Sequence, residues 1–179
     1  KNGNAYSRVF SLDTQEGIIG FYDKRLLAPG GEFLPYPIKL LAYIFSRDRF
    51  SLLSNIRELS PGQKDISTIG FRYQFSVAPL ICSELISPGI TKQSTQNSDV
   101  IVSMASYGTL HGSRAIADQM LALSRFRAAE NNKPIITAAN LGRSYVVDSQ
   151  GNLVFLAPST GSQILTGAIV LNQQKSWYN

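Results

Sequence analysis

Hydrophobic positions in this chain recur with two different periods, and the changes of period mark out its elements. Phe75-Ser76-Val77-Ala78-Pro79-Leu80-Ile81-Cys82-Ser83-Glu84 is a nearly unbroken apolar run that stops at polar groups, the pattern of a buried strand. Ala5–Leu12 and Ile18–Tyr22 read as the arms of a hairpin around the polar turn Asp13-Thr14-Gln15-Glu16-Gly17. The prolines and glycines of residues 22–35 exclude a long helix or a central strand, so that stretch is a shaped loop. Asp65–Thr68 and Gly70–Gln74 predict short strands, and Ile86–Gln96 a short helix interrupted near Pro88-Gly89. Asp99–Met104 is a second buried strand, and Ser106–Ser113 a loop rich in glycine and hydroxyls. The clearest helical period runs from Arg114 to Asn131. Ala115, Met120, Leu121, Leu123, Phe126 and Ala129 supply its apolar face, Ser113 its N-cap, and Lys133-Pro134 its stop. Strands are expected at Ile135–Ala139, Arg143–Asp148, Leu153–Ala157 and Gln163–Val170, with a hairpin turn at 148–152. Strands alternating with helices, plus hairpins, give an α/β (α+β layered) sandwich whose helices cover one face of a sheet.

Residues 36–60 stand apart. Tyr36, Ile38, Leu40, Leu41, Tyr43, Ile44 and Phe45 crowd apolar surface into one short segment, and Arg47, Arg49 and Arg57 follow. Such a helix either lies at a membrane interface or closes over the core. No run reaches the eighteen to twenty apolar residues of a membrane span.

Composition changes the picture little. A chain of 179 residues with 44% apolar and 16% charged content suits one globular domain. Its net charge of +5 comes from basic residues scattered along the chain, which argues for a solvated surface and against nucleic-acid binding. A single cysteine excludes an internal disulfide framework and leaves the redox compartment open.

Cys82 is that cysteine, at the mouth of a buried strand. Rigid placement suits a nucleophile, but a lone cysteine is also a common packing residue. The sole histidine, His111, suggests a Cys–His dyad on chemistry alone, yet it lies in a polar glycine loop without a recognisable partner. One His and one Cys are too few soft ligands for zinc, and no Gly-Lys-Ser/Thr follows Gly30-Gly31 as a phosphate loop would require. No metal or cofactor is implied.

Three motifs lift Cys82 above packing. Tyr22-Asp23-Lys24-Arg25-Leu26 with Pro29-Gly30-Gly31-Glu32-Phe33-Leu34-Pro35 resembles the lysine loop of the nitrilase (carbon–nitrogen hydrolase) superfamily. Leu80-Ile81-Cys82-Ser83-Glu84 resembles its cysteine elbow, and Arg127-Ala128-Ala129-Glu130-Asn131 with Ala138-Ala139-Asn140-Leu141-Gly142 its helix and following strand. The long stretch between lysine and cysteine, the Cys-x-Glu at the elbow and the terminal Ser176-Trp177-Tyr178 are most similar to the apolipoprotein N-acyltransferase branch. The resemblance implies an α-β-β-α sandwich, incomplete here at its N-terminus. Residues 1–179 would be the C-terminal part of the catalytic domain, with a lipid-facing insertion at about 36–60.

The same resemblance implies a mechanism. Cys82 would attack an acyl carbonyl, Lys24 would favour the thiolate and the oxyanion, and Glu32 would orient Lys24 or assist proton transfer. Glu84, Ser83 and Tyr107 would contribute to substrate binding; a place at a helix start accounts for Glu84 as well. Phospholipid and lipoprotein are the implied substrates. The implied setting is the periplasmic face of a bacterial inner membrane, reached through segments outside these residues, with self-association or a missing half-domain expected. Two features depart from the superfamily. Only Glu16, in a hairpin turn, precedes Lys24 by any distance, so the base of a Glu-Lys-Cys triad is expected upstream of Lys1. Ser83 and the loop at 103–107 also differ from the usual substrate-positioning residues. The alternatives are an amidase or nitrilase using water as acceptor, and a non-catalytic binding module.

Overall fold

The computed structural model describes residues 4–45, 51, 58–63, 69–70, 75–108, 113–158, 162–172, 174 and 176–178. β1 (Arg8–Asp13) and β2 (Gly17–Asp23) form the expected antiparallel hairpin, separate from the main sheet. That sheet has six strands in sequence order: β3 (Ile69–Gly70), β4 (Ser76–Ile81), β5 (Val100–Ser106), β6 (Ile135–Asn140), β7 (Tyr145–Val147) and β8 (Leu153–Leu156). The β4–β5 and β5–β6 pairs are parallel; the others are antiparallel.

Parallel neighbours need crossover connections, and here these are helices. α2 (Pro88–Thr95) joins β4 to β5, and α3 (Arg114–Asn131) joins β5 to β6. Register puts Ala78, Ile101, Ile135 and Val147 side by side across four strands, all buried. Met120 and Ala128 of α3 and Leu85 belong to the same core cluster. One face of the sheet is therefore helix-covered, as the strand–helix alternation predicts.

Several boundaries differ for physical reasons. Pro88 and Gly89 do not interrupt a helix; they begin one, because a proline in the first turn has no N–H to lose and Ser87 accepts from Ile90 N as N-cap. The segment before them, Cys82–Ile86, is a short 3-10 turn. Ser113 starts α3 through its carbonyl, which accepts from Ala117 N, but its hydroxyl makes no capping bond. The buried stripe of α3 is Met120, Ser124, Arg127, Ala128 and Asn131, while Ala115, Phe126 and Ala129 are exposed. Residues 163–170 are no strand. The strands expected at 65–68 and 70–74 lie outside the described residues apart from Gly70, which pairs with Ser76.

α1 (Tyr36–Phe45) buries none of its residues, so its apolar surface does not close over the core. Among the described residues no helix is long and apolar enough to cross a membrane.

The hairpin turn at 148–152 shows how tightly the layers approach. Asp148 Oδ1 accepts from Gln150 N and Asn152 N, Gly151 takes φ +84°, and Arg125 Nε donates to Gly151 O at 2.8 Å. A Cβ on Gly151 would sit 2.6 Å from the Arg125 carbonyl oxygen. Left-handed strain together with that clash predicts that Gly151→Ala destabilises the protein by about 2 kcal/mol or more, read as a lowered midpoint in urea unfolding.

Candidate active site

Parallel strands of a helix-covered sheet present their carboxyl ends as a natural site. Here β4 ends at Ile81, β5 at Ser106 and β6 at Asn140, and residues at all three ends line one cleft of about 770 Å³. Cys82 is the first residue beyond β4, and Lys24 the first beyond β2. Both face this cleft, together with Glu32. The lysine loop and the elbow, far apart in sequence, are thus brought to one cavity.

Lys24 is only 1% exposed, and its Nζ donates to both carboxylate oxygens of Glu32, at 2.8 and 2.7 Å. Glu32 Oε2 also accepts from Ala28 N at 2.6 Å, so the loop folds back on its own carboxylate. Gly30, at φ +81°, makes the reversal between them. Lys24 N donates to Ser7 O and Gly62 N to Lys24 O, which fixes the lysine backbone from both sides. A buried ammonium held in this way is a preset positive charge rather than a mobile surface lysine.

Cys82 adopts φ +52°, the left-handed region that non-glycine residues rarely occupy. The sharp reversal leaves the thiol partly exposed at the tip of the strand. Glu84 is what holds it. This carboxyl, 0% exposed, accepts from Ile81 N (2.8 Å) on the elbow and from Tyr22 Oη (2.8 Å), Arg25 N (2.6 Å) and Leu26 N (3.3 Å) on the lysine loop. Burial, and next the charge of Glu84, push the Tyr22 phenol well above its ordinary range, which keeps it a donor. Arg25 adds a strap: Nη1 donates to Gln93 Oε1 and Nη2 to Ser94 Oγ of α2.

None of the three residues expected to bind substrate lines the cleft. Glu84 is turned inward, as above. Ser83 Oγ donates to Leu26 O at 3.0 Å, a second tie between elbow and lysine loop. Tyr107 is buried, its phenol pushed up to about 12 by burial and then by the neighbouring Tyr145 and Cys82. It lies so close to Gly142 that a Cβ there would fall 2.4 Å from the ring. The cleft is lined instead by Met104, Ser106, Ala138, Asn140 and Ser144, among others. Of these, Ser106 and Asn140 are adjacent in register at the ends of parallel strands, a signal that strand pairing supplies and residue type does not. His111 lies outside the described residues, and among the described residues no cluster of metal-ligating side chains occurs.

Removing the Glu84 carboxyl would leave several buried donors unpaired, each costing about 1–3 kcal/mol. Glu84→Ala is expected to destabilise the protein by about 3 kcal/mol or more in urea unfolding. Glu84→Gln, which keeps one acceptor oxygen, is expected to lose less.

The carbon–nitrogen hydrolase family model matches residues 1–179. Curated relatives include the apolipoprotein N-acyltransferases of Geobacter metallireducens, 27% identical over 96% of this chain, and of Sinorhizobium medicae, 32% identical over 84% of it. The chain spans 31% and 28% of those two proteins. Solved structures of similar fold include Saccharomyces cerevisiae Nit3, a member of branch 10 of the nitrilase superfamily (TM-score 0.57, 20% identity, 85% of this chain and 49% of that one). A Helicobacter pylori carbon–nitrogen hydrolase is another (TM-score 0.60, 12% identity, 85% and 52%). With a whole-chain family match and the same fold in solved members, the chain belongs to the carbon–nitrogen hydrolase family.

Proposed function

We propose that this chain transfers acyl groups through a thioester on Cys82, taking the acyl chain from a phospholipid and passing it to the N-terminal amine of a lipoprotein. The observation that carries this reading is the shared cleft, where a strained strand-end thiol and the Lys24–Glu32 pair face the same space. The thiol proton passes to a carboxylate base, which this reading places outside residues 1–179. Sγ attacks the ester carbonyl, and Lys24 Nζ faces the oxygen that becomes negative. Collapse breaks the acyl C–O bond, and the glycerol oxygen leaves protonated as lysophospholipid. The lipoprotein amine then attacks the thioester, the C–S bond breaks, and the thiol is restored as the amine loses its proton. Glu32 orients Lys24, and Glu84 and Ser83 hold the two loops in register.

The choice of a lipid donor draws on the named relatives and on α1. Tyr36, Leu41, Tyr43, Ile44 and Phe45 are each more than half exposed on a helix that follows directly from the lysine loop. Apolar surface left in water forgoes about 25 cal/mol per Å² relative to burial, which contact with a bilayer interface would recover. The insertion at 36–60 is in this reading lipid-facing. The domain works at the periplasmic side of a bacterial inner membrane, attached through segments outside these residues.

Incubating the intact protein with phospholipid labelled in its acyl chain should place a hydroxylamine-labile label on the peptide containing Cys82, lost in Cys82→Ala and chased onto a lipopeptide amine. Absence of label under every condition overturns the proposal; label released only as free fatty acid, with no transfer to amine, supports water as acceptor. Lys24→Met is expected to slow acylation by about 10²–10³-fold, the usual cost of losing one oxyanion donor. Replacing both Leu41 and Phe45 with Asp should weaken co-flotation with phospholipid vesicles while leaving the Lys24–Glu32 pair intact.

A further inference from the structure

We infer that Arg127 is a positioning residue for Cys82, acting on the elbow turn from α3. Its consequence for acyl transfer rests on Cys82 being the nucleophile. The elbow continues as the 3-10 turn Cys82–Ile86, and the carbonyls that close such a turn have no acceptor role left within it. Two of them are taken by one side chain: Arg127 Nε donates to Leu85 O at 3.2 Å and Nη2 to Ile86 O at 3.1 Å. Its third nitrogen, Nη1, donates to Glu130 Oε2 at 2.7 Å, which balances the charge at a site where Arg127 is only 6% exposed.

The anchor is rigid. Arg127 sits on α3, where Asn131 Nδ2 donates to Arg127 O and Asn131 Oδ1 accepts from Thr95 Oγ1 of α2. Glu130 is itself fixed, its carbonyl accepting from Ser176 Oγ. Residue 82 therefore joins the end of β4 to a five-residue turn that is gripped at Glu84 from the lysine loop and at residues 85–86 from α3. With both grips in place the left-handed geometry of Cys82 has little room to relax. A planar fork reaching two successive carbonyls is specific to guanidinium, and a lysine supplies only a point donor. Ordinary packing would need only the volume of Arg127, which methionine approximates.

The test compares Arg127→Met, Arg127→Lys and Glu130→Gln in the intact protein. Three quantities are read: kcat and KM for acyl transfer, the native-state rate of Cys82 alkylation by iodoacetamide followed on its own peptide, and the thermal midpoint. A thiol moved by about 1 Å costs up to about 10²-fold. Arg127→Met should therefore lower kcat at least about 10-fold with KM unchanged, and slow Cys82 alkylation as the thiol leaves the Lys24 ammonium. Arg127→Lys should recover part of both, and Glu130→Gln should lose less of both with the fold intact. A folded Arg127→Met with wild-type kcat and alkylation overturns the inference. If Arg127→Met does not fold, unchanged kcat and alkylation in Glu130→Gln overturn it. If the wild-type protein shows no acyl-enzyme, the functional proposal fails alone, because the alkylation rates still decide the role of Arg127.

Discussion

One buried carboxyl group holds the site together. Glu84 bonds to the backbone at the end of β4 and to the backbone and phenol of the lysine loop. Among the described residues β2 and β4 belong to different sheets, so the bonds of Glu84 tie together segments that no shared strand ladder joins. Polar bonds in a region of low dielectric suit the task because they are directional, whereas apolar packing tolerates slippage. Ser83 and Arg25 reinforce the same seam at its edges.

The sheet contributes the platform. Two helical crossovers place β4, β5 and β6 parallel, which brings their carboxyl ends to one level and opens a cleft there. The helix that backs this platform is polar along much of its buried side. Ser124 bonds Tyr145, Arg127 bonds the elbow turn, and Asn131 bonds α2. α3 therefore orients its neighbours as well as covering them.

The extent of α3 and the hairpin turns at 13–17 and 148–152 could be read from the sequence, since helical periodicity, proline and Asp/Gly turn chemistry act locally. The buried face of α3 was legible only in part: Met120 is buried and Leu121 and Leu123 pack against the core, as expected. A hydrophobic rule selects Phe126 and Ala129, and the structure buries Arg127 and Asn131, whose partners lie on other elements. Lys24 and Cys82 could be paired only through motif resemblance, because their meeting depends on how β2 and β4 are placed. Glu84 shows the limit most clearly. A carboxylate two residues past a cysteine is compatible with a helix start, a substrate contact or a tie between loops, and only its partners distinguish them. The alternation at 163–170 resembled a strand, but β-structure needs a neighbour with free edge bonds, which pattern alone does not reveal.

The backbone at Cys82 carries an evolutionary consequence. A left-handed φ disfavours every side chain with a Cβ by about 1–2 kcal/mol relative to glycine, so thermostability selection at this position would drift toward glycine and erase the thiol. The site is thus a point where robustness and reactivity are in direct opposition. Any ancestral or consensus redesign of the family that optimises folding alone should be expected to lose its chemistry first at this residue.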